Sequence, residues 1–277
     1  MELPLPEGPE IRRAADVIAE AVVGQTIDTV RFGQPRMRKY AKTLRGHRVT
    51  DVETRGKALL THFEHGYTVY SHNQLYGVWQ VIEGHKLPKT NRSLRLLLQT
   101  ATHSAILYSA SDISVWPTPE IEEHPFLKKI GPDIMDRALT WQAIAERLRD
   151  KAFRNKDLTT LYLDQQFLAG NGNYLRSEIL HDARLPADVR PCDLTRGAIG
   201  RLARSTLSIS RRSYDTGGIT LAPRLSGALK REGLTREWRR FYVFGRDEYP
   251  CYHCSDTVVR EEIGGRRFYY CPSCQPQ

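Results

Sequence analysis

Residues 251–274 read CYHCSDTVVREEIGGRRFYYCPSC. Two C-x2-C pairs stand sixteen residues apart. Each pair can place two thiolates on one turn, and a hairpin between them brings Cys251, Cys254, Cys271 and Cys274 to one tetrahedral Zn(II). Two disulfides are the competing reading. Cysteines two residues apart bridge awkwardly, however, and the start of the chain lacks the basic flank and apolar run of a secretory signal. A closed four-cysteine site keeps no position for water, so the ion is structural. It stiffens the hairpin EEIGGRRFYY (261–270) and presents Arg266 and Arg267 on a rigid tip, as a nucleic-acid module needs.

N-terminal to this module, Arg224 to Arg246 holds seven basic residues against only Glu232 and Glu237, a positive connector. Thr216 to Gly233 is rich in Gly, Ser and Pro and is expected to be an irregular, mobile loop. Before it, LTWQAIAERLRD (139–150), DLTTLYLDQQFLAG (157–170), NYLRSEILHDARL (173–185) and LTRGAIGRLARSTLSIS (194–210) read as four helices, with Thr140, Asp157 and Thr195 as N-caps. Gly170-Asn171-Gly172-Asn173 lies between two of them. Glycines permit close backbone approach, and the amides opening the next helix can hold a phosphate. A tight helical hairpin also needs small residues, and the basic balance of the chain tips the reading toward DNA.

PTPEIEEHPFLKKIGPD (117–133) concentrates four prolines and is the best domain boundary. Between Ile27 and Val115 the stretches HRVTDVETRGKALLTHF, YTVYSHNQLYGVWQVI, SLRLLLQT and SAILYSASD predict a mostly antiparallel sheet or sandwich. At the start, Ile11, Ala15, Ile18 and Val22 recur at helical spacing, with Pro9 in the first turn and Gly24 at the exit.

The chain's 277 residues allow two or three modest domains. Forty-one Lys and Arg against 32 Asp and Glu leave a charge of +9, which favours polyanionic partners and nucleic acid first. No apolar run approaches the roughly 20 residues that span a bilayer, so a cytoplasmic, nucleoid-associated protein without membrane contact is expected. The fifth cysteine, Cys192, is an ordinary thiol.

PEGPEIRRAAD (6–16), ETRGKALLTHF (53–63), YSHNQLYGVW (70–79), FLAGNGNYLRSEIL (167–180) and RRFYYCPSCQ (266–275) together resemble the formamidopyrimidine-DNA glycosylase / endonuclease VIII family, and within it the bacterial endonuclease VIII branch. The resemblance runs from Pro6 to the C-terminus. It implies an α+β multidomain fold: an N-terminal two-layered β-sandwich with flanking helices (1–120), a linker (121–132), a helix-two-turns-helix DNA-binding domain (133–225), and the basic connector with its zinc finger (226–277). PEGPEI in place of PELPEV, and QLYG in place of a methionine-containing loop, set the chain apart from the oxidised-purine enzymes.

The implied activity is base-excision repair of damaged double-stranded DNA by a monomer with one structural zinc. It joins a DNA glycosylase to an abasic-site lyase acting on oxidised pyrimidines by β,δ-elimination; oxidised purines are the alternative substrate. Pro6 matches the N-terminal proline nucleophile, Glu7 the acid that opens the sugar, and Lys57 the lysine that engages the substrate strand. Arg266 matches the arginine associated with δ-elimination, and Arg267 stands where related sequences often have proline. Gln74, Leu75 and Tyr76 match the loop that fills the hole left by an extruded base. Asn173 and Lys129 would contact phosphate, Lys129 without the planar fork of the commoner arginine. Seen without the resemblance, Glu7 and Glu10 would simply complement the dipole of the helix they open.

An iminium needs a free amine at Pro6, and the sequence places Met1 to Leu5 before it. We therefore expect translation to start at Leu5, because leucine codons serve as bacterial initiators, with the initiator removed before Pro6. A chain that keeps the extension would bind lesions without processing them.

Overall fold

The computed structural model describes residues 6–276; Met1 to Leu5, on which the expectation of an alternative start falls, lie outside the described residues. Two compact units divide the chain, residues 11–129 and residues 130–276 together with 6–10.

In the first unit, β1 (Thr29–Phe32), β6 (Leu94–Gln99), β7 (His103–Tyr108) and β5 (Val78–Glu83) form one antiparallel sheet in that order. β2 (Val49–Arg55), β3 (Ala58–Phe63), β4 (Tyr67–His72) and β8 (Asp112–Pro117) form the other. The expected sandwich is present because the strands alternate at period two. Leu96, Leu98, Ala105 and Leu107 face inward against Leu59, Phe63 and Val69, while Leu97, Ile106 and Tyr108 make a second, smaller cluster. α1 (Gly8–Val22) adds Ala15, Ile18 and Val22 to the main core at the predicted spacing. A five-residue α2 (Tyr40–Leu44) packs beside β1.

The second unit holds α3 (Trp141–Arg149), α4 (Leu158–Leu161), α5 (Asn173–Ala183), α6 (Arg196–Asp215), α7 (Pro223–Arg231) and the hairpin of β9 (Val259–Ile263) and β10 (Arg266–Tyr270). Thr140, Asp157 and Thr195 cap α3, α4 and α6 by accepting the amides of Ala143, Thr160 and Ala198. One apolar core runs from Ile134 through the helices to Phe268, Tyr269 and Cys271, so the hairpin shares its interior with the helical part.

Two expectations are corrected. The helix predicted over 157–170 stops at Leu161. Beyond it Asp164 accepts the Gln166 amide, and the Gln165 side chain accepts from Gly170 N–H and donates to the Asn171 carbonyl, local bonds that compete with a helical ladder. The segment expected to be irregular from Thr216 to Gly233 contains α7, which opens on Pro223 and buries Leu229.

Candidate active site

Gly170 has φ +100°, a conformation that favours glycine, and it bends the chain back so that its carbonyl accepts the Gly8 amide at 2.8 Å. Two residues on, Gly172 is the N-cap of α5 and has no side chain to offer its orphan amides. Glu7 fills that role from a distant part of the sequence: its Oε1 accepts Tyr174 N–H at 2.9 Å and its Oε2 accepts Leu175 N–H at 3.2 Å. The carboxylate is 3% exposed and sits on the positive end of the α5 dipole. A Cβ on Gly172 would lie 2.4 Å from Glu7 Cδ, so glycine is what leaves room for the acid. Glu7 thus caps α5, not the helix that follows it in sequence.

Glu10 supports this arrangement. Its Oε2 accepts the Glu7 amide at 3.2 Å and the Tyr174 hydroxyl at 2.9 Å, and Arg240 Nη2 stands 3.8 Å from its Oε1. Burial first, then the charges of Glu10 and Glu7, push the Tyr174 phenol well above its ordinary pKa, which keeps it a donor. Arg240 also donates through Nε to the Gly218 carbonyl at 2.7 Å. Pro6 is half-buried immediately before Glu7.

Asn173 opens α5 and is half-buried, and its Oδ1 accepts from Arg176 Nη2 at 3.3 Å. The wholly buried Arg176 also donates to the Thr159 carbonyl at 3.2 Å and the Arg267 carbonyl at 3.0 Å, with its guanidinium 5.3 Å from the Phe268 ring. Burial pulls its pKa down to about 10; the Glu7 charge acts against that shift and Arg266 adds to it. Arg176 therefore joins the start of α5 to β10, and Ser177 adds a second tie by accepting the Tyr269 amide. Arg266 and Arg267 are exposed at the head of β10, just after the Gly264-Gly265 turn.

At the base of the hairpin the sulfurs of Cys251, Cys254, Cys271 and Cys274 all lie within 4.8 Å of one another, with close pairs at 3.4, 3.6 and 3.8 Å. A tetrahedral ion with sulfur bonds near 2.3 Å sets its thiolates roughly 3.8 Å apart, so the donor set and its spacing fit a metal. Among the described residues this is the one such group of His, Cys, Asp or Glu.

The sandwich unit carries the other residues singled out in the sequence. Lys57 is half-buried in the two-residue turn joining β2 to β3. Its charge reaches His72, whose pKa is lowered by burial first and by Lys57 in addition, while Asp112 opposes the shift. His72 Nδ1 accepts the Gln74 amide at 3.0 Å, so Lys57, His72 and the loop form one neighbourhood. Gln74 has φ +52°, and Leu75 and Tyr76 are 55% and 72% exposed, an unusual display for large apolar side chains. The loop is held from behind by Arg92, which donates to the Tyr76 carbonyl at 2.9 Å. Lys129 is exposed at the end of a 3-10 turn, Leu127–Lys129.

Sequence reasoning missed Tyr174, Arg176, Arg240 and His72. Three of them lie inside quoted motifs and Arg240 in the basic connector, but their partners are remote in sequence. Asn171 was seen only as part of a turn, yet it is wholly buried with both side-chain polar atoms unpartnered.

Residues 5–110 match the family model described as Formamidopyrimidine-DNA glycosylase N-terminal domain. The chain is 46% identical over 271 residues to Endonuclease 8 of an Escherichia coli strain, covering 98% of this chain and 100% of that protein. It is 45% identical to the Klebsiella pneumoniae Endonuclease 8 over the same length and shares. Among solved structures, Lactococcus lactis formamidopyrimidine-DNA glycosylase bound to DNA containing an abasic site has the same fold, with a TM-score of 0.79 at 21% identity over 98% of this chain and 100% of that one. A second complex, between that organism's enzyme and an abasic site containing DNA, gives 0.81 at 23% identity over the same shares.

Proposed function

The chain belongs to the formamidopyrimidine-DNA glycosylase / endonuclease VIII family, and from that membership we propose that it is a base-excision enzyme, a DNA glycosylase and abasic-site lyase acting as a monomer on oxidised pyrimidines in duplex DNA in the bacterial cytoplasm. The observation that carries the reading is the seating of Glu7, next to Pro6, on the N-terminus of α5 with Gly172 keeping the space open.

In this mechanism the Pro6 amine attacks C1′ of the extruded nucleotide, and the glycosidic pair leaves with the base. The Pro6 N–H proton passes to the departing base and frees the nitrogen lone pair; Glu7, in its protonated form, then gives its proton to the ring oxygen as the C1′–O4′ bond breaks and an iminium forms. The amides of Tyr174 and Leu175 stabilise the carboxylate left behind. Loss of a C2′ proton expels the 3′ phosphate, and a second elimination expels the 5′ phosphate, with Lys57 and Arg266 engaging the strand that is cut. Gln74, Leu75 and Tyr76 enter the vacated stack, and their exposure supports that role. Asn173 and Lys129 hold phosphates.

We assign the four cysteines one Zn(II). It supplies a cross-link and no chemistry, since four thiolates close its coordination. The division into 1–120, 121–132, 133–225 and 226–277 is part of the same reading.

Borohydride trapping tests the reaction, the nucleophile and the substrate class together. Protein verified by mass to begin at Pro6 is incubated with thymine-glycol and formamidopyrimidine duplexes side by side. A covalent adduct that forms faster on the pyrimidine lesion is expected. An absence of adduct on either duplex overturns the enzyme reading, and a preference for the purine lesion overturns the substrate class.

A further inference from the structure

Between Asp28 and Asp51 the chain holds no carboxylate and seven Lys and Arg side chains, and all seven are exposed. Arg48 stands 3.8 Å from Glu64; Arg31, Arg36, Arg38, Lys42 and Arg45 have no carboxylate within ion-pair distance among the described residues. A face kept only for solubility mixes its signs, because a single-sign strip repels itself within a Debye length of about 8 Å. The strip extends from the end of β1 through α2. Arg31 and Arg38 flank a groove of about 390 Å³ floored by Phe32 and Leu94.

Sheet register fixes where the strip lies within its unit. Phe32 pairs with Leu96, Leu94 with Tyr108, and Tyr108 with Val78, so the exit of β1 and the entry of β5 share one end of the sheet. The Gln74–Tyr76 loop leads into that entry. A chain of bonds joins the two: Arg36 Nε donates to Gln34 Oε1 at 3.2 Å, Gln34 Nε2 donates to the Ser111 carbonyl at 3.1 Å, and the Ser111 hydroxyl donates to Gln74 Oε1. The strip is thus tied at Arg36 to Gln74, the first residue of the exposed apolar loop.

We propose that this strip is a second phosphate-binding surface, which takes the backbone of the DNA strand carrying the orphaned partner base. The inference rests on the reading of Gln74, Leu75 and Tyr76 as the segment that enters the stack. Once the loop is inserted, the strand it displaces needs a counter-surface beside the loop. Five guanidinium and ammonium groups without carboxylate partners, one of which, Arg36, is held to Gln74 through Gln34 and Ser111, supply one. Register and salt dependence, and not base identity, are what such cations contribute.

The test uses the full chain and a duplex with a tetrahydrofuran abasic analogue, which is bound but not cleaved at that position. In the R36Q/R38Q/K42Q/R45Q variant, the slope of log Kd against log salt is expected to flatten by about two to four, at about 0.9 for each phosphate that the strip no longer neutralises. R36K/R38K/R45K, which keeps the charge, should keep the wild-type slope. Methylphosphonates placed beside the site on the complementary strand should weaken wild-type binding and leave the strip variant unaffected. A wild-type slope in the quadruple variant, or a methylphosphonate effect that persists in it, overturns the proposal and returns the strip to a solvated face or another partner. Failure of the trapping reaction instead overturns the enzyme reading, so the two are distinguishable.

Discussion

The Glu7 carboxylate has both oxygens committed to backbone amides of α5, so the acid role we propose for it is inseparable from its structural one. In Glu7→Gln one of those amides faces an NH2 group and loses its acceptor, at a cost of about 1–3 kcal/mol. Base excision should be abolished while binding to an abasic-analogue duplex stays within a few-fold; single-turnover excision and a binding titration read the two separately. Gly172→Ala probes the placement without touching the acid. Its Cβ would lie 2.4 Å from Glu7 Cδ, so the carboxylate must move. We expect excision to fall at least tenfold with the helical signal unchanged. Excision at the wild-type rate would show that the seat on α5 is unnecessary.

α5 is the element on which the second unit is organised. Glu7 caps its first turn, Arg176 and Ser177 tie it to β10, and Glu178, wholly buried, accepts the amides of Tyr242, Val243 and Phe244 and the Thr220 hydroxyl. Burial raises the Glu178 pKa even though all four donors oppose the shift. The β9–β10 hairpin shares its apolar interior with the helices, so the zinc we propose at its base and the ties to α5 would share the work of holding Arg266 and Arg267. Metal analysis should find one zinc per chain. After chelation, amide exchange should quicken across β9, β10 and the Arg176 end of α5, the strands β2, β3 and β4 should be unaffected, and duplex binding should fall. Unchanged exchange in the hairpin would mean that the cysteines are not its anchor. The sequence failed at this scale where local chemistry outweighed periodicity. Asp164 and Gln165 turn the chain out of a helix that the apolar spacing still suggests, and α7 forms in a stretch whose Gly, Ser and Pro content reads as loop.

Across the whole molecule, the charge of +9 agrees with a polyanionic partner, and among the described residues no helix is long and apolar enough to cross a membrane. The mechanism we propose further requires that Pro6 carry a free amine, since an amide nitrogen has no available lone pair. Intact-mass analysis of the native protein should give a chain beginning at Pro6, and a mature chain that retains Glu2 to Leu5 should bind lesions and trap nothing. The sandwich, the capped helices and the cysteine cluster were legible in the residues because each depends on spacing: period two in the strands, caps next to the helices they stop, and thiols two residues apart. The order of the motifs was equally legible, and with it the family. What only the folded chain decided are the pairings between residues far apart in sequence: Glu7 with the amides of Tyr174 and Leu175, Arg176 with the Arg267 carbonyl, Arg240 with Glu10, and Gln34 with Ser111 beside Gln74. Periodicity carries information over a few residues, whereas an orphan amide or an unpaired guanidinium finds its partner only when packing brings another segment within about 3 Å, the reach of a hydrogen bond.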